Sequence, residues 1–210
     1  MTRNQTLILS LLFSFLFGNV TSQAQKTTFT PELVTGYRSL FYQHGINHFF
    51  SKKLRFNNMV VYDTEYRSDK NNIFFIRNTL CVALSKPLSL QTAIGIKNPG
   101  SFATLALQYQ YQTGPLRFLY AAGATYQTGL TLEQSLILEY NPLLQPGTSA
   151  YFRLQAIANT DFTQYQRGIQ QFRAGIQQES TQYGVALNLD QFNNGARQLE
   201  NAGIFIRYLF

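Results

Sequence analysis

The chain has 210 residues, of which 13% are charged, and a formal charge of +7. Its basic residues are scattered along the chain without a compact patch, which excludes nucleic acid as a partner class. Eighteen Phe and 13 Tyr with no Trp, beside 21 Gln, are out of proportion for a soluble domain. They suit a wall that meets an apolar medium on one side and a polar one on the other.

The first element is an export signal. Arg3 gives a basic start, Leu7 to Phe17 is an apolar run, and Ser22 and Ala24 form a small-x-small site. Residues 1–24 are therefore expected to be a signal peptide cleaved after Ala24. The apolar run is short of the roughly 20 residues that a spanning helix needs. No Cys lies near the site, so a lipid-anchored precursor is not expected. Cys81 is alone and has no intrachain partner.

Residues 25–53 read in two ways. Thr30, Pro31 and Glu32 resemble a helix start, with a capping hydroxyl, Pro at the first position and an acid near the positive end of the dipole. A helix or arm under a barrel would follow. The rival is a strand from Tyr37 to Phe50, with Leu40, Tyr42, Ile46, His48 and Phe50 on one face, and it is slightly favoured.

From Leu54 the period is two, the side-chain period of a strand. Ten candidate strands follow: Leu54–Arg67, Ile73–Ser85, Leu88–Lys97, Ser101–Thr113, Leu116–Tyr126, Leu130–Asn141, Thr148–Asn159, Arg167–Glu179, Thr181–Asp190 and the closing stretch to Phe210. The clearest alternation sets Ala103, Leu105, Leu107, Tyr109 and Tyr111 against Thr104, Ala106, Gln108, Gln110 and Gln112. Arg167–Glu179 is the weakest strand, and Gln191–Glu200 reads as the longest late connection. Asn98-Pro99-Gly100 and Gly114-Pro115 are turn signals. The pattern predicts an all-β fold: an antiparallel transmembrane meander β-barrel spanning residues 54–210, of about 10 strands, with 8 or 12 as alternatives. A strand at Tyr37–Phe50 would make eleven, and an even barrel would then need one more before it.

The chain closes on Ala202-Gly203-Ile204-Phe205-Ile206-Arg207-Tyr208-Leu209-Phe210. Ile204, Ile206, Tyr208 and Phe210 share one face, and the chain stops on an aromatic residue. This ending resembles the carboxy-terminal assembly signal of bacterial outer-membrane β-barrels. With the signal peptide and the alternating strands, the chain looks like the small, uncharacterised outer-membrane barrel proteins of the Bacteroidota. The resemblance implies export to the outer membrane, with outer-membrane lipid and the barrel-assembly machinery as partners. It implies no catalytic role for any residue.

A charge facing lipid near the midplane costs about 2–4 kcal/mol for Arg or Lys, so the pattern turns charges inward. Asp63, Glu65, Arg77, Arg117, Glu133, Glu139, Arg153, Arg173 and Arg207 are expected to form a charge-paired network in a narrow, polar lumen. A structural, non-enzymatic barrel is the favoured function. A narrow channel, an exported soluble ligand carrier and a lipid-modifying enzyme are the alternatives. His44 and His48 share a face, but the stretch between them lacks the Glu of a metalloprotease motif, and no GxSxG or glycine-rich phosphate loop is present. No cofactor, metal site or catalytic residue is expected.

Overall fold

The computed structural model describes residues 26–98, 100–161, 163–192 and 194–210. The expected signal peptide and its cleavage site lie outside the described residues. Thirteen strands run through these: β1 (Lys26–Gly36), β2 (Ser39–Phe49), β3 (Leu54–Glu65), β4 (Ile73–Ala83), β5 (Leu88–Lys97), β6 (Gly100–Thr113), β7 (Leu116–Tyr126), β8 (Leu130–Tyr140), β9 (Leu143–Gln145), β10 (Thr148–Thr160), β11 (Tyr165–Gln178), β12 (Thr181–Phe192) and β13 (Arg197–Tyr208). Consecutive long strands pair antiparallel, and β13 pairs with β1. The short β9 pairs only with the start of β10, which lies against β8 along the rest of its length. The result is a closed twelve-stranded meander barrel in which each long strand is paired on both sides.

The count is twelve, the larger of the alternatives to about ten, and the two extra strands come from residues 26–49, where β2 is the strand expected at Tyr37–Phe50 and β1 the one needed before it. The helix or arm reading of this segment fails. Pro31 lies inside β1, opposite His44. Glu32 and Val34, 1% and 0% exposed, point inward, while Leu33 points out. The capping pattern is local and weak. Closure of the ring offers β1 backbone partners on both sides, which a helix there would leave unmet on β2 and β13.

Pro31 marks the seam where the barrel closes. Phe29 and Phe210 exchange both backbone hydrogen bonds, at 3.3 and 2.9 Å, and Tyr37 N–H donates to Ala202 O at 3.0 Å. Hydrogen-bonded pairs recur every second residue, so Pro31 falls opposite Tyr208 at a bonded position with no N–H to give. The registered seam is only five residue pairs, from Glu32–Arg207 to Gly36–Gly203. The β10–β11 ladder has thirteen.

Two late expectations also change. Gln191–Glu200 is mostly strand, with Gln191 opposite Gln198 and Phe192 opposite Arg197. The turn is made by Asn194 and Gly195, both at positive φ (61° and 77°). Arg167–Glu179, read as the weakest strand, belongs to the 14-residue β11.

Outside, Ile94, Leu105, Val185 and Ile204 are among the most exposed side chains of the barrel. Aromatic residues gather in two bands. Toward the end that carries both chain ends, Phe210 stacks on Phe29, Tyr109 meets Phe118 and Tyr140 meets Phe152. Toward the far end, Tyr62 packs on Phe74 beside exposed Tyr66 and Tyr126. Polar residues on the outer face bond sideways: Asn58 donates to Asn78 at 2.9 Å and Tyr120 to Gln134 at 2.7 Å. Inside, Val34, Phe41, Val61, Tyr151, Ala186 and Phe205 form a small core, with Met59 and Phe75 against it.

Candidate functional site

Among the described residues, the lumen is where the fold gathers charged side chains from many strands. Alternation along each strand turns Asp63, Glu65, Arg77, Arg117, Glu133, Glu139, Arg153, Arg173 and Arg207 inward, and each is part of an ion pair. Some partners lie on the next strand and others on distant strands of the barrel. Arg77 of β4 reaches Glu133 of β8 at 2.5 Å. Arg207 of β13 reaches Glu139 of β8 at 3.3 Å and donates to Tyr151 Oη at 2.7 Å. Arg117 pairs with the other oxygen of Glu139 at 2.8 Å, and Arg153 approaches Glu139 at 3.5 Å. The Arg77–Glu133 and Arg207–Glu139 pairs bridge strands that are not neighbours, whereas Arg117 and Arg153 each stand directly opposite Glu139 on an adjacent strand, so the pairs cross the lumen as well as line it.

The centre of the network is Glu32, which the sequence reading considered only as part of a possible helix start. Glu32 receives Arg173 at 2.7 Å and Arg153 at 3.2 Å, and Gln43 donates to it at 2.9 Å. Arg173 also donates to Asn188 at 2.8 Å. Both guanidiniums and the carboxylate are buried. A buried carboxylate between two guanidiniums is held by charge-assisted bonds, the strong class of hydrogen bond.

A second group sits at the far end. Arg38, at the β1–β2 turn, pairs with Asp63 at 3.1 Å and also with Glu65. Arg167 makes a two-pronged pair with Asp190, at 2.9 and 2.7 Å. The turn itself is held by Asn201, fully buried, which accepts from the N–H groups of Arg38 and Ser39 and donates to Ser39 O. Gly36 lies against this amide, where a Cβ would collide with it.

The ion pairs divide the lumen into two cups. One opens at the far end, has a volume of about 110 Å³, and carries Phe41, Val61, Phe75, Ile157 and Ile169 on its wall. The other opens at the end with the chain ends, has a volume of about 210 Å³, and is lined by polar groups such as Arg55, Asn57, Gln91 and Gln108. Met59, Arg77 and Gln155 line both and form the partition. The near-end cup is polar as expected, whereas in the far-end cup apolar side chains at inward positions stand beside the Arg38–Asp63 and Arg167–Asp190 pairs.

No protein-family model and no curated protein matches the chain. Among solved structures it is similar to LpxR from Salmonella typhimurium, at 9% identity and TM-score 0.45, over 87% of this chain and 100% of that one. It is also similar to a bacterial polysaccharide outer-membrane secretin, at 8% and 0.42, over 89% of this chain and 80% of that one. A third is OmpT, an outer-membrane protein of Vibrio cholerae in its trimer form, at 9% and 0.39, over 90% and 100%. No residue role or activity is carried over from them.

The two histidines stand on the outer face. His44 Nδ1 is 3.0 Å from Tyr42 Oη, and His48 Nδ1 is 2.8 Å from Thr27 Oγ1. His48 meets the Phe50 ring edge-on and His44 meets Phe29 likewise, so both belong to the aromatic surface. Cys81 is buried in the polar cup, 3.7 Å from an Arg55 nitrogen. Among the described residues no three His, Cys, Asp or Glu side chains are grouped to hold a metal ion.

Glu32, Arg38, Arg167 and Asp190 are the network members that the sequence reading did not name. Parity was the available signal. Asp190 already shared its face with Asn188 and Ala186, and Glu32 would have followed from continuing β1 in period two. Asn194-Gly195 is the common two-residue hairpin signal and marks the β12–β13 turn.

Proposed function

We infer that the chain is an outer-membrane β-barrel protein whose lumen is closed at mid-height by ion pairs, a structural and non-enzymatic barrel. The carrying observation is the set of pairs that span the interior between strands four apart around the ring, Arg77–Glu133, Arg207–Glu139 and Arg153–Glu32. Conduction would require these to part, and each is shielded from water, where a broken pair leaves an uncompensated charge. The exposed apolar belt between two aromatic bands supports lipid as the outer medium. The distance of His44 and His48 from the inward carboxylates, across the barrel wall, supports the non-enzymatic reading.

Ile204, Ile206, Tyr208 and Phe210 serve in this reading as the signal for the assembly machinery, with Phe210 also bonded to Phe29 at the seam. Fractionation of cells expressing the full chain tests both points. The protein should sediment with the outer membrane, need detergent for extraction, and migrate faster on gels before heating than after. Removal of Phe210 should lower the outer-membrane yield severalfold. A protein that stays folded and monomeric without detergent would contradict the membrane reading, and an unchanged yield would contradict the assembly role.

A further inference from the structure

The far-end cup differs from the rest of the lumen in setting apolar side chains beside a cation that has no acid of its own among the described residues, with the Arg38–Asp63 and Arg167–Asp190 pairs completing its wall. Phe41, Val61, Phe75, Ile157 and Ile169 are the apolar side chains. Lys97 stands near the mouth and Arg77 at the floor, and their charges rest on aromatic rings. The Arg77 guanidinium is 5.3 Å from the Phe75 centroid and 5.1 Å from that of Phe102, and the Lys97 ammonium is 5.0 Å from Phe102. Phe75 and Phe102 stack on each other at 5.6 Å. Arg77 has Glu133 as its acid, whereas Lys97 has no carboxylate at ion-pair distance among the described residues. Two cations thus share one acid beside an apolar wall.

Two residues that line the cup carry a polar atom without a protein partner. Gln171 Oε1 and Asn188 Nδ2 are buried and make no hydrogen bond, and both side chains are more than nine-tenths buried. Apolar walls with a few converging polar groups are the usual form of a small-molecule site. A cation beside a low-dielectric wall attracts an anion more strongly than one in water. Size narrows the ligand. A dry cavity of about 150 Å³ takes benzene, so about 110 Å³, open at its mouth, suits an apolar body of roughly six carbons.

We propose that the far-end cup binds a small amphipathic carboxylate, with its apolar body against Phe41, Phe75 and Ile157 and its carboxylate on Lys97. The acid end stays near the mouth, because Lys97 is the last residue of β5. This goes beyond the closed-barrel reading and can fail apart from it, since conductance reports the partition and ligand binding reports the cup.

The test is calorimetric titration of the full barrel in detergent at low ionic strength, with benzoate and its neutral analogue benzamide. Benzoate should bind saturably and at least about tenfold more tightly than benzamide, as a charge-assisted contact is expected to give. Lys97→Gln should remove that preference. Ile157→Phe, which fills the cup without touching its charges, should weaken both ligands. Lys86→Gln, in an exposed turn at the other end, should change nothing. Absent binding, equal binding of the two ligands by the unaltered protein, or equal losses in the Lys97 and Lys86 variants would each overturn the proposal. The comparison of ligands on the unaltered protein requires no variant to fold.

Discussion

Glu32 is the residue on which the lumen network depends most. It is fully buried and is the carboxylate shared by Arg153 and Arg173, so its loss leaves two guanidiniums facing each other without an acid between them. Breaking a buried pair from one side typically costs about 3–5 kcal/mol. Glu32→Ala is expected to destabilise the barrel by that amount in urea unfolding followed by circular dichroism in lipid vesicles. A change below about 0.5 kcal/mol would mean that water reaches the cluster. At this scale the sequence was informative where parity was kept. Arg77, Glu133, Glu139, Arg153 and Arg207 were all assigned inward from alternation alone. Which acid meets which base was not legible, because the pairs join residues far apart in the chain, such as Glu32 and Arg173. Nor did alternation distinguish the apolar inward residues Phe41, Phe75 and Ile169, which look like misplaced outward ones until the far-end cup is seen.

Among the elements, the β13–β1 seam is where the ring is weakest. Pro31 stands at a bonded position opposite Tyr208 without an N–H, and the ladder beside it is short. Pro31→Val supplies that donor and a β-branched side chain. It should stabilise the barrel by roughly 0.5–1.5 kcal/mol, the net worth of one hydrogen bond, read as a higher urea midpoint. No change, or a loss, would show that the seam does not follow the register of its neighbours. The strands from β3 to β8 were legible because one face of each is apolar and their turns carry Pro, Gly or Ser-Lys. β1 was not, since Thr30-Pro31-Glu32 carries a local helix signal that only the closed ring overrides. The start of β13 was hidden for another reason. Arg197, Gln198 and Glu200 are polar, and they are strand because the ladder to β12 continues, with Gln191 bonded to Gln198 at 3.0 Å.

For the whole molecule, the outer face decides between a membrane barrel and an exported soluble carrier. Leu105 is 55% exposed on the apolar belt. In lipid, Leu105→Lys should cost about 2–4 kcal/mol near the midplane, measured by unfolding in vesicles, whereas in a soluble barrel the change would be close to neutral. The central claim concerns the interior, and planar-bilayer conductance of the refolded protein tests it most directly. The unaltered barrel should be silent under conditions where folding is verified, and Arg153→Ala, which removes the Glu32 and Glu139 contacts of one side chain, should give brief openings. Stable ohmic steps from the unaltered protein, shifted by Arg153→Ala, would contradict a closed lumen and make Arg153 part of a conducting path.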